Sequence, residues 1–317
     1  MMSSHNVPQI PLISVIMPVF NSDRFLEQAI ESILNQSEGD FELLAIYDES
    51  SDASLTIIEH YQKIDLRVRL LRGQGKSLIG ALNQGIDAAR GKFIARMDAD
   101  DVSLPERFSK QVALLEAQNA DVCGCHFATI DSKDRVIQYV TVPVTRESIC
   151  LYFCCRTPFP HPGVMIRRDS LIKEALHYGS RKFSAIEDFD LWARILTSGL
   201  SLVNVDEILL NYRVHNNSIS RQKNAQIRKQ SKELIDSIYQ KNRGDLRRCF
   251  EVLIMQDHMP YADLEALVNY VFLEIVLDRC FQNVRVLYRK LGLPLFSQFL
   301  LPAAMRRLLA AKAALFR

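Results

Sequence analysis

The sequence predicts an α/β fold built on a mostly parallel sheet, and three observations point there. From Ile13 to Asp101, short apolar runs alternate with segments whose apolar residues recur at helical spacing. The links between them are short, as βα units require. Two of the apolar runs end abruptly in acidic residues, which is how a buried strand delivers polar groups to a sheet edge.

The first run, Ile13-Ser14-Val15-Ile16-Met17-Pro18-Val19-Phe20, is rich in β-branched residues and ends near a proline, as suits a central strand entering a loop. Asn21, Ser22 and Asp23 can cap the helix that carries Phe25, Leu26, Ala29, Ile30, Ile33 and Leu34. Phe41 to Tyr47 is a second strand, ending in Asp48-Glu49-Ser50-Ser51-Asp52. A helix from about Ala53 to Gln62, a short strand at Val68 to Leu71, a glycine-containing loop and a helix with Leu78, Leu82 and Ile86 follow. The ligand crevice of such a sheet lies beyond the carboxyl ends of its strands, so Asp48 and Asp98 to Asp101 are expected to face one crevice.

The run Phe93-Ile94-Ala95-Arg96-Met97-Asp98-Ala99-Asp100-Asp101 carries the strongest chemical signal. Clustered carboxylates repel and raise one another's pKa unless a cation or backbone donors compensate them. Mg²⁺ or Mn²⁺ meets that need when water and substrate phosphates fill the remaining positions. A competing account is helix capping, with Ser103 and Glu106 as a capping box around Pro105. It accounts for Ser103 and can account for Asp101 as a cap, but not for Asp98 and Asp100 together.

Apolar positions Phe108, Val112 and Leu115 mark a helix from Phe108 to Gln118, and Asp121 to Ile130 reads as a strand. Thr141 to Pro160, with its prolines and paired cysteines, reads as an irregular segment covering the crevice, and His161 to Ile166 returns to strand-like composition. Ser184 and Glu187 have capping-box spacing ahead of a helix bearing Leu191, Ile195 and Leu196. Asp188 is not needed for that box. The helix dipole favours its ionised form, the state a general base requires.

Other chemistries fit less well. Gly73-Gln74-Gly75-Lys76-Ser77 resembles the end of a phosphate loop, but Leu70 stands where that motif needs its first glycine. The dinucleotide fingerprint fails at Leu78, and the loop after the first strand has no glycine. A net charge of +2 over 317 residues gives no global attraction to nucleic acid. The seven cysteines have no framework spacing and read as reduced thiols of a cytoplasmic protein; Cys123 and Cys125 read as core filling rather than a zinc site. Met1 to Gln9 has no apolar signal core, and no segment reads as a membrane span.

Several stretches, taken in order, resemble the family 2 glycosyltransferases, which are inverting nucleotide-sugar enzymes of the GT-A fold. They are Val15 to Asn21, Asp48 to Asp52, Ala81-Leu82-Asn83-Gln84-Gly85-Ile86, Arg96 to Asp101, Pro105-Glu106-Arg107, Glu187-Asp188 before Leu191-Trp192, and Tyr212-Arg213-Val214-His215. The resemblance covers about Ile13 to Ser220 and implies a nucleotide-sugar site formed by Pro18, Val19, Asn21, Asp48, Asn83 and Asp98; by residue type alone, Lys76 and Arg72 read either as mobile cations for phosphate or as solvated residues of a surface loop. Asp48 resembles the carboxylate that accepts the N3–H of uracil, although Tyr47 and Glu49 replace the family's frequent aspartate and glycine. Asp100 and His215 resemble metal contacts for Mn²⁺ or Mg²⁺, with Asp98 nearer the ribose or sugar. Asp188 resembles the catalytic base. His161, Gly163, Glu187 and Trp192 are expected to line the acceptor side, Trp192 either stacking on a sugar or packing in the core.

The expected organisation is a flexible N-terminus (1–10), a GT-A domain (11–220) and a helical basic region (221–317). After Asp278 no acidic residue occurs, while Arg285, Arg289, Lys290, Arg306, Arg307, Lys312 and Arg317 interleave with leucine and phenylalanine. That pattern fits either an interfacial helix on the anionic inner face of the cell membrane or a helix packed on the catalytic domain. The expected partners are a nucleotide-sugar donor and a glycan or lipid-linked acceptor of surface-polysaccharide or lipopolysaccharide synthesis. The alternatives are a phosphate-loop nucleotide hydrolase and a non-catalytic nucleotide-sugar binder.

Overall fold

The structure, a computed structural model, describes residues 10–73, 77–180, 182–215, 224–256, 259–278, 280, 282–284, 286–287 and 289–290. The chain divides into two compact units, Met1–Thr141 with Phe159–Gln222 and Val142–Pro158 with Lys223–Arg317.

The first unit opens with the expected alternation: β1 (Ile13–Val19), α1 (Asp23–Leu34), β2 (Phe41–Tyr47), α2 (Ser54–Ile64), β3 (Val68–Arg72), α3 (Leu78–Ala88) and β4 (Phe93–Arg96). All seven residues of β2 are buried, as are all of β1 but Pro18. Helices on both faces require such continuous apolar runs. Leu26, Ala29, Ile30 and Ile33 form the buried stripe of α1 and join the sheet's core.

Next come β5 (Val102–Ser103), α4 (Arg107–Ala117), β6 (Val122–Ile130) and β7 (Val136–Val140). After α5 (Arg146–Tyr152), which belongs to the second unit, a 3-10 turn at His161–Gly163 leads to β8 (Met165–Arg167), α6 (Arg168–Lys173), α7 (Glu187–Thr197) and β9 (Leu202–Arg213). The nine-stranded sheet runs β3-β2-β1-β4-β8-β6-β9-β5, with β7 paired to β6. β3, β2, β1 and β4 are mutually parallel. β8 is antiparallel to both β4 and β6, and β9 is parallel to β6. Two reversals restore the first direction, so the carboxyl end of β9 points the same way as those of β1, β2 and β4.

The long β9 and the exposed β7 have no clean alternation in sequence. Between Val205 and Ile208 the β9 register shifts against β6, leaving Asp206 and Glu207 exposed in the middle of the strand. Every residue of β7 is exposed except the partly buried Val140, so no apolar face marks it.

Two further expectations are corrected. Ser103 does not cap a helix: it lies in β5, and its hydroxyl accepts a hydrogen bond from Gln36 Nε2 at 3.1 Å. α4 begins at Arg107 with Glu106 itself at the N-cap, which leaves the box no reach. The Thr141–Pro160 stretch is not irregular throughout. It contains α5, capped by Thr145 accepting from the Ser148 amide at 3.3 Å, and its residues Val142–Pro158 belong to the second unit.

That unit also contains α8 (Asn224–Lys241), α9 (Arg243–Ile254) and α10 (Tyr261–Asp278). α5 packs on α9 and α10. Buried Glu265 accepts from Tyr152 at 3.3 Å and pairs with Arg156. All seven cysteines are free thiols. Among the described residues no helix is long and apolar enough to cross a membrane. The basic apolar run from 291 onward lies outside the described residues.

Candidate active site

The acid run sits where β4 leaves the sheet. Carboxylate oxygens of Asp98, Asp100 and Asp101 lie within 4.8 Å of one another. β5 follows at once and pairs antiparallel with β9, Val102 opposite Asn211, which brings the end of β9 alongside the acids. The Arg213 amide therefore donates to Asp101 Oδ1 at 2.7 Å, and His215 Nε2 lies 2.9 Å from Asp100 Oδ2. Asp101 is 1% exposed, and its Oδ2 has no hydrogen-bond partner among the described residues. Burial, then the charges of Asp98 and Asp100, push the Asp101 carboxyl well above its ordinary range. Burial and Asp98 also raise Asp100, against the opposing pull of His215. Asp98 pairs with the buried guanidinium of Arg96.

The donor set fits a hard divalent cation. Three carboxylates and an imidazole converge, and a buried carboxylate oxygen without a partner is the kind of atom a cation satisfies.

At the ends of β1 and β2, main-chain geometry positions Asp48. Its amide donates to the Val19 carbonyl at 3.0 Å, and Gly73 at the end of β3 donates to the Tyr47 carbonyl at 2.8 Å. Asn21 has φ 47°, a left-handed conformation that asparagine tolerates. Its side chain accepts from the Ser51 amide at 3.0 Å and its amide donates to Ser50 Oγ at 3.0 Å, clamping the two strand-end loops together. Asp52 accepts from the Asp23 amide at 2.9 Å, so this carboxylate stitches loops rather than meeting a ligand. Pro18 is half-buried in β1. The Val19 side chain is 1% exposed and faces the core; only its carbonyl serves the site. Tyr47, where the family often has aspartate, turns its hydroxyl back to accept from the Ser50 amide at 3.0 Å. Lys76 lies outside the described residues.

Asp188 stands half-buried in the first turn of α7. Burial raises its pKa, although its own amide, that of Phe189 and the charge of Arg96 oppose the shift. The sequence argument that the dipole keeps it ionised thus names a smaller effect than desolvation. Glu187 is half-buried beside it at the first helical position, so the box with Ser184 does not form.

The remaining acceptor-side residues divide sharply. Trp192 is 0% exposed, with its ring against Phe159 at 5.7 Å, His161 at 6.1 Å and Tyr178 at 6.4 Å between centroids. It is a core residue and offers no face to a sugar. Gly163 is buried too; a side chain there would meet Cys125 Sγ at 3.2 Å, and its carbonyl accepts from Gln111 at 2.7 Å. Half-buried His161 has Nε2 2.9 Å from the Tyr178 hydroxyl, and burial and Arg96 lower its pKa so that it is neutral. Asn83 accepts from the Tyr178 amide at 2.8 Å and donates to its carbonyl at 3.0 Å, which makes it an anchor for the Tyr178 loop.

The family model described as Glycosyl transferase family 2 matches residues 14–176. The chain belongs to glycosyl transferase family 2. It is 34% identical over 213 residues to the Escherichia coli O-antigen biosynthesis glycosyltransferase WbnJ, covering 66% of this chain and 82% of that protein. It is 28% identical over 221 residues to the Escherichia coli UDP-Glc:alpha-D-GlcNAc-diphosphoundecaprenol beta-1,3-glucosyltransferase WfgD, covering 69% and 83%. The fold matches that of the mannosyltransferase PcManGT from Pyrobaculum calidifontis, solved with GDP-Man and Mn²⁺. That match has a TM-score of 0.56 at 16% identity and covers 97% of this chain and 81% of that one. This glycosyltransferase therefore has the GT-A architecture that the sequence motifs imply.

Three arginines of this glycosyltransferase organise the site, and sequence reasoning gave them no role. Arg96, 4% exposed, pairs with Asp98, and its charge also acts on Asp188. Arg107, fully buried, donates to the carbonyls of Pro162 at 2.8 Å and Arg96 at 3.1 Å, tying the His161 turn to the end of β4. Arg213 sits at the end of β9. The available signal was a charge inside or closing an apolar run, since such residues are buried only when paired.

Proposed function

We propose that this glycosyltransferase moves a sugar from a UDP-sugar to a hydroxyl of a glycan or lipid-linked acceptor by one inverting displacement, in the synthesis of a surface polysaccharide or lipopolysaccharide. The observation that carries this reading is Asp188. It is a half-buried carboxylate with a raised pKa on which the charges of Arg96 and Asp98 both act, and this supports reading it as the base that serves the acid cluster. A raised carboxylate pKa brings a base nearer the operating pH.

In this reading Asp48 accepts the N3–H of uracil, held in place by the Val19 carbonyl and by contact with Gly73. Asp100, Asp101 and His215 would hold Mn²⁺ or Mg²⁺, and Asp98, paired with Arg96, would face the ribose or sugar. The bound ion would supply neutralisation of charge on the departing nucleoside diphosphate. Asp188 takes the acceptor proton as the new bond forms. His161 and Glu187 line the acceptor side. The name of the WfgD relative, with UDP-Glc as donor and a diphosphoundecaprenol acceptor, supports the donor nucleotide and the lipid-linked class. The basic residues after Asp278 would hold the enzyme peripherally on an anionic membrane, where such an acceptor resides.

The test is thermal stabilisation of the protein by nucleoside diphosphates and nucleotide sugars, with and without Mn²⁺. A Mn²⁺-dependent rise with one UDP-sugar, lost in Asp100→Asn and kept in Asp188→Asn, is expected. Stabilisation by ATP alone would overturn the reading.

A further inference from the structure

Arg213 leaves 1% of its side chain exposed, yet all three guanidinium nitrogens donate hydrogen bonds. Nε donates to the Asp100 carbonyl at 2.7 Å, Nη1 to the Asp131 carbonyl at 3.0 Å and to Asp134 Oδ1 at 2.7 Å, and Nη2 to Gln28 Oε1 at 2.7 Å. Its Cζ stands 4.3 Å from the centroid of the Phe25 ring. These partners come from the acid loop, the turn between β6 and β7, and α1. We propose that Arg213 is a positioning residue for the acid cluster, and that the Asp131–Asp134 turn is the remote anchor through which it acts.

The peptide between Asp100 and Asp101 decides where both carboxylates point. Arg213 holds that peptide by its side chain on the Asp100 carbonyl, and holds the Asp101 carboxylate directly by its own amide on Oδ1. If the peptide rotated, Asp100 would swing from His215 and Asp101 would lose its orientation. A guanidinium is a rigid planar fork that can span four acceptors at fixed angles; a lysine ammonium on a flexible stem cannot.

The anchor is itself stiff. Asp131 Oδ1 accepts from the amides of Lys133 at 2.8 Å and Arg135 at 3.0 Å, and Oδ2 accepts from Arg135 Nε at 2.7 Å. Those bonds, that of Arg135 first, hold its pKa down at about 2. Asp134 closes the turn with φ 61° and supplies the ion pair to the guanidinium. Removing the Asp134 carboxylate leaves a buried cation without its ionic partner, a change felt at the other bonds of the same rigid group.

The inference rests on the metal reading above, because its readout is cation affinity. Mn²⁺ alone is titrated into the full chain, with free ion counted by electron paramagnetic resonance, for wild type, Asp134→Asn, Gln28→Met and Arg213→Lys. Asp134 is 55% exposed on its own turn and is not one of the cluster's carboxylates, so its substitution removes no proposed metal ligand. Each variant is expected to bind Mn²⁺ about tenfold more weakly, the lower range for groups that orient metal ligands. At saturating Mn²⁺, kcat of Asp134→Asn should stay within about twofold of wild type. Reduced thermal stability with unchanged Mn²⁺ affinity in the folded variants would make Arg213 merely structural and overturn the proposal. If Arg213→Lys fails to fold, Asp134→Asn and Gln28→Met decide. A wild type that does not bind Mn²⁺ sinks the metal reading itself, a result distinct from equal binding by all four proteins.

Discussion

Gly73 leaves its side-chain space to Asp48: a methyl group built on Gly73 would stand 1.9 Å from Asp48 Oδ1. The carboxylate proposed to read the base is thus held against a backbone that must lack Cβ. Gly73→Ala would meet the Asp48 side chain first and the Tyr47 carbonyl only at 3.1 Å, so the fold should survive while UDP affinity falls about tenfold, or about 1.4 kcal/mol. Calorimetric titration of UDP checks this, and unchanged affinity would remove Asp48 from the nucleotide site.

Asp188→Asn keeps the shape of the side chain and removes the base. Loss of a positioned general base costs about 10² to 10⁴-fold in rate. The expected result is a fall of that order in kcat with donor affinity unchanged, measured by steady-state kinetics beside direct binding. A similar loss of donor affinity would mean that Asp188 binds rather than catalyses.

The raised pKa of Asp188 also fixes two signs. As pH falls through that raised value the carboxylate protonates and cannot accept the acceptor's proton, so kcat/KM should decline at a pH above the ordinary 3.8. Stability runs the other way. The folded state holds this proton more tightly than the unfolded state, so the contribution of Asp188 to stability is full at low pH and is lost as pH rises through the folded value. Asp188→Asn should therefore raise Tm more at pH 7 than at pH 4. Equal shifts at both pH values would show that burial does not govern this carboxyl.

Trp192 offers a test of packing against recognition. Its fully buried ring fills the space among Phe159, His161 and Tyr178, and truncation to alanine should cost about 3–5 kcal/mol in denaturant unfolding. Trp192→Phe should cost less, partly because the indole Nε1 it removes is buried without a partner among the described residues. Acceptor KM should stay near wild type in Trp192→Phe; a large rise would return Trp192 to the acceptor site.

By itself the sequence determined the alternation from β1 to β4, the acid run at its end, the helix that carries Asp188 in its first turn and the family. Each is a local pattern: an apolar period, a strand terminus or a short motif lies within a few residues of itself. Only the tertiary structure decided which groups meet. His215 reaches Asp100, 115 positions earlier, because two strand reversals turn β9 to the same sheet edge and β5 then draws the acid loop against it. Trp192 and Gly163 look like site residues in sequence and are core; Asp101 looks like a cap and carries the buried, unpartnered oxygen. The stretch from Thr141 to Pro160 reads as irregular and instead contains α5, with Val142–Pro158 in the second unit. Burial and pairing depend on sheet order and on segments far away in sequence, and a local period does not encode those relations.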